Sequence, residues 1–496
     1  MMVQTENIYL TGMTTSEQLV RVFVKGGILS PGDFRKILEV AQHLGFDYFH
    51  LGSRQDILFP VPDPEAEGVI DALRDLPLEY ELNQKVNQNI VSSYVSLDVM
   101  PSTKWLASHI YHYVLDTFDY QPQEKINLVD PMQSMVPLFT GNINFIASQF
   151  DNYWYLYIRY SELDPLPWCA PDLIYGFDLA KVARAIEQLN PRSRTLTAPE
   201  IYRRVQEQVT FNTREIQAPL TFPEPTFPYY EGMNRTQEGK YWLGLYWRNN
   251  CFYVDFMRAL CDLCLETNVG KLSLTPWKSF IVKGIAEKDR VIWEKLLGKN
   301  GINVRHSSLE LNWHLPVLNQ EALELKKYFV RMLDQQDIST YGLTFTVKTQ
   351  AHKILFTSVV IEKNPKATPD DPDAFNVLYA RDFNPNTFEY FTYARRVSKE
   401  IVPSLLIELS KQYYDQLDAH KKGAEKAPTA QKSLNKRFRC RHCLNIYDEA
   451  YGDALNHIAP ETPFADVPDT YQCPVCGSPK ADYEEVPVSQ ASPAKE

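Results

Sequence analysis

One pattern of residues occurs twice in this chain, and that repetition limits its possible folds more than any other feature. In the first copy, Arg21-Val-Phe-Val-Lys25 has the β-branched and aromatic content of a strand, and Gly26-Gly27 breaks it. Pro31 opens a helix with Phe34, Ile37, Leu38, Ala41 and Leu44 on one face at helical spacing. Gly45 ends it, and Asp47-Tyr-Phe-His-Leu51 with Ile57-Leu-Phe59 predicts strand, turn, strand. In the second copy, Tyr241 to Trp247 is the strand, Asn249-Asn250 the break and Tyr253 to Leu265 the helix, followed by Lys271 to Leu274 and Phe280 to Val282. Superposition puts Arg54 on Trp277, Gln55 on Lys278 and Ile57 on Phe280. Ile143-Asn-Phe-Ile-Ala147 matches Leu343-Thr-Phe-Thr-Val347 in the same order. The chain to about residue 420 therefore reads as units A, B, A′, B′. With only two copies, a closed core of pseudo-twofold symmetry is expected, not a solenoid.

The expected boundaries are 1–87 and 88–232 for the first pair of units and 233–318 and 319–419 for the second. Within B, Ser102 to Phe118 and Asp178 to Leu189 predict helices around an aromatic strand, Tyr153 to Tyr160. Within B′, a helix is expected over Gln320 to Asp334 and strands over Leu343 to Val347 and Ile354 to Val360. Tyr393 to Leu417 reads as an amphipathic helix interrupted by Pro403. Residues 420–435 lack apolar periodicity and predict a flexible tether, 436–487 a small separate module, and 488–496 a disordered tail.

That module carries Cys440-Arg-His-Cys443 and Cys473-Pro-Val-Cys476. Two such knuckles place four thiolates around one ion, and all-sulfur tetrahedral ligation selects iron or zinc. Phe438, Tyr447, Phe464, Tyr471 and Tyr483 can core a domain of about 50 residues that needs a metal to be stable. Lys436, Arg437, Arg439, Arg441 and His442 make the first knuckle locally basic, which predicts steering toward an acidic partner.

Other candidates have plainer readings. Cys261 and Cys264 fall on Leu38 and Ala41 of the first copy, which makes them core residues. Cys169 and Cys251 are isolated. His109 and His112 lie three apart on a helix without a third ligand at suitable spacing. The aromatic run Tyr153 to Tyr157 has the alternation of strand packing.

The net charge of −11 argues against nucleic acid as the main partner. No apolar run approaches the roughly 20 residues of a membrane span, so no membrane insertion is expected. Met1 to Leu19 has no apolar run of the secretory kind, and the eight cysteines fit a metal site in a reducing compartment. The reading is a cytoplasmic protein.

The order of units, with Arg21-Val-Phe-Val-Lys-Gly-Gly27, Leu51-Gly-Ser-Arg-Gln55, Leu274-Thr-Pro-Trp-Lys278, Phe280-Ile-Val-Lys-Gly-Ile285 and Asn89-Ile-Val-Ser-Ser93, resembles assimilatory nitrite and sulfite reductases. The resemblance implies a ferredoxin-like half-domain and a haem-binding repeat, each present twice. In that family a sirohaem is bridged by cysteine to a four-iron cluster. The cluster cysteines belong at the start of the second repeat, and His314 to Phe345 contains none. Arg54 matches a basic position that meets sirohaem carboxylates in the family, so it is the candidate anchor for that group or a small anion.

The module, with Tyr447-Asp448, Gly452-Asp453, Pro463-Phe464 and Val467-Pro-Asp469 in place, resembles rubredoxin from Lys436 to Val486. It departs at Leu444, where the family usually has Gly, and at Tyr471, where it usually has Trp. The resemblance implies one iron held by Cys440, Cys443, Cys473 and Cys476, with Cys443 and Cys476 exposed. The expected fold is thus α+β, a duplicated reductase-like core plus a metal-knuckle domain. The expected function is one-electron transfer from an upstream donor to a partner reductase, in assimilatory nitrate, nitrite or sulfite reduction. Two alternatives stand beside it: a core that still binds sirohaem and is fed by the iron, and a zinc-ribbon scaffold without redox chemistry.

Overall fold

In the computed structural model, the described residues are 18–61, 68–82, 86–100, 108–133, 135–160, 166–191, 195–224, 226–236, 238–304, 310–349, 355–364, 374–424, 436–443, 445–449, 452–453, 456, 458–459 and 462–486. Outside them lie the N-terminal stretch, most of the expected tether, the expected tail, Leu444, Ile354 and the start of the helix expected from Ser102. The chain forms two compact units, Met1–Gln416 and Leu417–Glu496.

The larger unit begins with β1 (Gln18–Val22), β2 (Ile28–Leu29), α1 (Pro31–His43), β3 (Tyr48–Leu51), β4 (Ile57–Val61), α2 (Val69–Arg74) and β5 (Tyr80–Leu82). Ser30 caps α1 by accepting from the Asp33 amide at 3.0 Å, and Pro31 sits in the first turn where its missing N–H costs nothing. Then come β6 (Val91–Ser92), α3 (Ser108–Asp116), β7 (Ile126–Val129), β8 (Ile143–Ala147), β9 (Tyr153–Ile158), β10 (Trp168–Cys169), β11 (Asp172–Tyr175), α4 (Leu179–Gln188), α5 (Ala198–Gln208) and β12 (Thr213–Glu215). The second half runs β13 (Gly232–Arg235), β14 (Tyr241–Tyr246), β15 (Phe252–Tyr253), α6 (Val254–Glu266), β16 (Lys271–Leu274), β17 (Ser279–Ile285) and α7 (Arg290–Lys299). It closes with β18 (Trp313–His314), α8 (Gln320–Asp334), β19 (Phe345–Lys348), β20 (Val359–Lys363), β21 (Phe375–Ala380), β22 (Tyr390–Val397) and α9 (Val402–Ala424).

The pseudo-twofold relation is visible in strand exchange. β2 of the first copy pairs with β16 of the second, Leu29 opposite Leu272, while β15 of the second pairs with β3 of the first, Phe252 opposite Phe49. The sheets are β15-β3-β4-β1-β5 and β13-β14-β17-β16-β2. α1 and α6 pack between them in one shared core containing Phe34, Leu38, Ala41, Met257, Cys261 and Cys264. The edge strands differ: β5 follows β1, β3 and β4 in sequence, whereas β13 precedes β14, β16 and β17.

Equivalent loops take the same strained backbone. Gln55 and Lys278, matched by the repeat, have φ of 59° and 58°. Gly27 (φ 70°) lies against the Leu274 carbonyl, and a Cβ there would come within 2.9 Å of it. Asn250 (φ 54°), its counterpart, donates from Nδ2 to the Leu51 carbonyl at 2.9 Å and accepts from the Leu51 amide at 3.0 Å. Gln55 is fully buried and joins the halves: its Nε2 donates to the Leu274 and Ser92 carbonyls at 2.7 and 3.1 Å, and its Oε1 accepts from the Ser92 amide at 2.7 Å. Gln55→Ala should therefore lower core stability by about 1–3 kcal/mol, the cost of orphaning buried polar groups, read as an earlier urea midpoint.

The B sheets repeat a topology too. β6, β7 and β8 are parallel and β8, β9 and β11 antiparallel, and the second set matches with β18, β19 and β20 parallel and β20, β21 and β22 antiparallel. By this order β8 corresponds to β20, and β19 corresponds to β7. The sequence match of Ile143–Ala147 with Leu343–Val347 is thus one strand out of step, because short apolar strands look alike without their neighbours. A second correction concerns Tyr393–Leu417. Tyr390–Val397 is a strand paired with β21, and the helix starts at Val402 with Pro403 in its first turn, where proline is tolerated. The same helix runs to Ala424, five residues into the stretch read as tether, since no proline intervenes before Pro428.

The smaller unit holds β23 (Arg437–Cys440), β24 (Ile446–Asp448) and β25 (Tyr483–Val486) in the order β24-β23-β25, all antiparallel. Its core is Cys440, Tyr447, Phe464, Val467, Tyr471, Cys473 and Tyr483. Phe464 stacks on Phe438 with centroids 4.3 Å apart and touches Tyr447 and Tyr483 at 5.2 and 5.3 Å.

Candidate metal centre

β23 delivers Cys440 at its end, and the chain turns back through Cys443 into β24. The Cys440 amide donates to the Asn445 carbonyl at 2.8 Å, and in the second knuckle the Cys473 amide donates to the Ser478 carbonyl at 2.8 Å. The two loops therefore share a hydrogen-bond frame. Gly477, at φ 74°, closes the second one by donating to the Cys473 carbonyl at 2.8 Å.

These frames bring the four Sγ atoms within 4.8 Å of one another. Cys440 Sγ lies 3.7 Å from Cys476 Sγ, and Cys443 Sγ 3.4 Å from Cys473 Sγ. A tetrahedron with metal–sulfur arms of about 2.3 Å has edges of about 3.8 Å, so the cage fits one thiolate-bound ion. Cys440 and Cys473 are buried, Cys443 is half-buried and Cys476 is exposed. Val475 and Ile446, both exposed, are apolar residues of the two knuckles.

The thiols do not ionise alike. Burial opposes the Cys473 thiolate, but the Tyr483 hydroxyl and the amides of Cys476 and Val475 outweigh it and bring the thiol down to about 6. The Asn445 amide favours ionisation of Cys443, yet burial and the neighbouring sulfurs push that thiol up to about 12. Four sulfurs this close ionise together only around a cation. Ser478, whose Oγ is 3.1 Å from Cys476 Sγ, joins the site although nothing in the C-x-x-C spacing marks it.

The basic first knuckle is not a free positive patch. Lys436 pairs with Glu485 at 3.1 Å, Arg437 with Asp448 at 2.6 Å, Arg439 and Arg441 with Glu484 at 2.7 and 3.5 Å, and His442 lies 3.2 Å from Asp482. β24 and β25 flank β23 and bring these carboxylates in, which the local sequence of the knuckle does not reveal.

Arg54, in the larger unit, donates from Nη1 to Asn127 Oδ1 at 2.7 Å and from Nη2 to the Asn89 and Ile126 carbonyls at 2.8 and 2.7 Å. Burial pushes its guanidinium down to about 9, against the attraction of Asp56. Its fork is engaged with protein acceptors. Trp277 borders two cavities of about 30 and 70 Å³, and Trp313 borders the larger. Cys261 and Cys264 are buried in the shared core, and His112 packs against Tyr94 at 5.2 Å. Among the described residues, the four knuckle cysteines are the one group of three or more metal-ligating side chains close enough to share an ion. No helix among these residues is long and apolar enough to cross a membrane.

Residues 437–483 match the rubredoxin family, and residues 13–76 match the nitrite/sulfite reductase ferredoxin-like half domain. A rubredoxin of Trichormus variabilis is 44% identical over 61 residues, 12% of this chain and 55% of that protein, so the chain spans little more than half of that relative. A probable rubredoxin of Methanothermobacter thermautotrophicus is 43% identical over 52 residues, 10% of this chain and 82% of that protein. The solved structure of the Mycobacterium tuberculosis NirA protein superposes with a TM-score of 0.60 at 11% identity, covering 84% of this chain and 82% of that one. The last likeness establishes the fold of the larger unit.

Proposed function

The chain belongs to the rubredoxin family through its C-terminal domain, and on that premise we propose that it is a one-electron carrier serving a partner reductase. Rubredoxins act as electron carriers with redox partners, and the four-sulfur cage carries the reading. When bound, iron in such a cage exchanges one electron between its ferric and ferrous states, with all four positions taken by protein. Cys440 and Cys473 would hold the ion from the buried side, and the amides of Cys476 and Val475 turn toward sulfur. Cys476 is the exposed sulfur and the exit for the electron. The match of this module to the rubredoxin family supports iron over a zinc ribbon as the resident metal.

The reductase-like core serves as a docking platform, in assimilatory nitrate, nitrite or sulfite reduction. A second reading, a sirohaem enzyme fed by the iron, has less behind it. A carboxylate at Arg54 would have to displace three protein acceptors.

Reductive titration of the full chain tests the proposal. It should take up one electron per iron and pass it to an added one-electron acceptor. Uptake of further electrons with haem bands would favour the second reading. Because the basic groups of the first knuckle are paired, raising ionic strength should slow transfer by well under the roughly tenfold that charge steering produces. Stopped-flow rates across a salt series measure this.

A further inference from the structure

The two knuckles share a backbone frame but not the residue that closes it. The Cys473 amide donates to the Ser478 carbonyl as the Cys440 amide donates to the Asn445 carbonyl, so Ser478 and Asn445 hold matching places after Cys476 and Cys443. The second knuckle alone carries a hydroxyl there, since Cys440 to Asn445 contains no Ser, Thr or Tyr. Ser478 is fixed from both sides: Gly477 donates to the Cys473 carbonyl at 2.8 Å, and Pro479 bridges to Gln472. In this frame Ser478 Oγ lies 3.1 Å from Cys476 Sγ. Ser478 is half-buried, and Cys476 is the exposed sulfur of the cage. Between a thiol and a hydroxyl either atom can give the proton. A thiolate has none to give, so around a cation the hydroxyl must be the donor. The bond is then charge-assisted and roughly twice as strong as a neutral one.

We propose that the Ser478 hydroxyl donates an O–H···S hydrogen bond to the Cys476 thiolate in the loaded site, and that this bond raises the reduction potential of the metal. Ser478 is a positioning residue that acts through Cys476. The donor withdraws charge from sulfur. Reduction adds one negative charge to the four-sulfur site, so the bond strengthens in the reduced state and raises its share at a given potential. With Asn445 in the matching place, the first knuckle has no such hydroxyl, and the effect falls on the exposed sulfur of the second.

This inference rests on the proposed four-thiolate metal site, so its test includes a readout that does not need iron. The full chain and its Ser478→Ala and Ser478→Thr variants are loaded with cobalt(II), whose sulfur-to-metal bands report thiolate electron density. They are then loaded with iron for potentiometry. Ser478→Ala removes the donor, and Ser478→Thr keeps it. In the alanine variant the bands should move to lower energy. Its reduced-to-oxidised ratio at fixed potential should fall by up to about tenfold, ~59 mV for a one-electron couple. The threonine variant should stay with the wild type in both. An alanine variant with unchanged bands and potential overturns the inference. So does a threonine variant that shifts as far as alanine, which would make the effect one of packing. A wild-type chain with no sulfur-to-cobalt bands overturns the metal site itself. Cobalt bands in a chain that takes up no iron overturn the carrier reading alone, and the cobalt comparison then still decides the role of Ser478.

Discussion

Removing one thiolate, as in Cys473→Ser, should abolish tight metal binding and unfold residues 437–486 while the larger unit keeps its own melting transition. Among the described residues, the core of the smaller unit is small, and two of its seven members are the ligands Cys440 and Cys473. A domain of about 50 residues buries too little apolar surface to be secure alone. Structural metal binding in comparable modules contributes an apparent ~10–16 kcal/mol, more than such a domain has in reserve. Calorimetry of the full chain should show two transitions when loaded, and the smaller unit's transition should vanish after chelation or substitution. Persistence of both transitions in the metal-free protein would mean that the aromatic stack on Phe464 suffices.

The second large effect lies in the core. Lys326 on α8 is 2.7 Å from Glu310, with side chains 3% and 8% exposed, and it also meets the Tyr246 hydroxyl on β14. Arg248 reaches the same carboxylate at 3.2 Å. Glu310→Gln leaves a buried ammonium without its counter-charge, which should cost about 3–5 kcal/mol. Replacing both partners, Glu310→Gln with Lys326→Met, should recover a large part of that loss, because the uncompensated charge is then gone. Urea unfolding of the wild type, each single variant and the double variant decides it. A double variant as unstable as the sum of the singles would show that the pair is not the source of the cost.

How much could be seen beforehand depends on the range of the contacts. Helices and strands of the repeated units follow from local periodicity, and Pro31 and Gly45 mark the helix ends. The shared core and the burial of Cys261 and Cys264 follow once Leu38 and Ala41 are recognised as their counterparts. What stayed hidden was made by partners distant in sequence. β20 and β21 give β19 its place in the sheet, so the B-unit strand match slipped by one. Pro403 could mark a helix interruption or a helix start, and the pairing of β22 with β21 settles which. The metal ligands are adjacent enough to read directly. The carboxylates that meet Arg439 and His442 arrive 45 and 40 residues later, on β25 and the turn before it, and so the knuckle read as more positive than it is. Tyr483 was legible as a core aromatic.

The measurement that bears most directly on the account is metal analysis with visible absorption of the full chain as isolated. The account predicts one iron per chain and sulfur-to-iron bands that bleach on one-electron reduction, without haem absorption. A colourless, zinc-loaded protein that stays unchanged under reductant would contradict it.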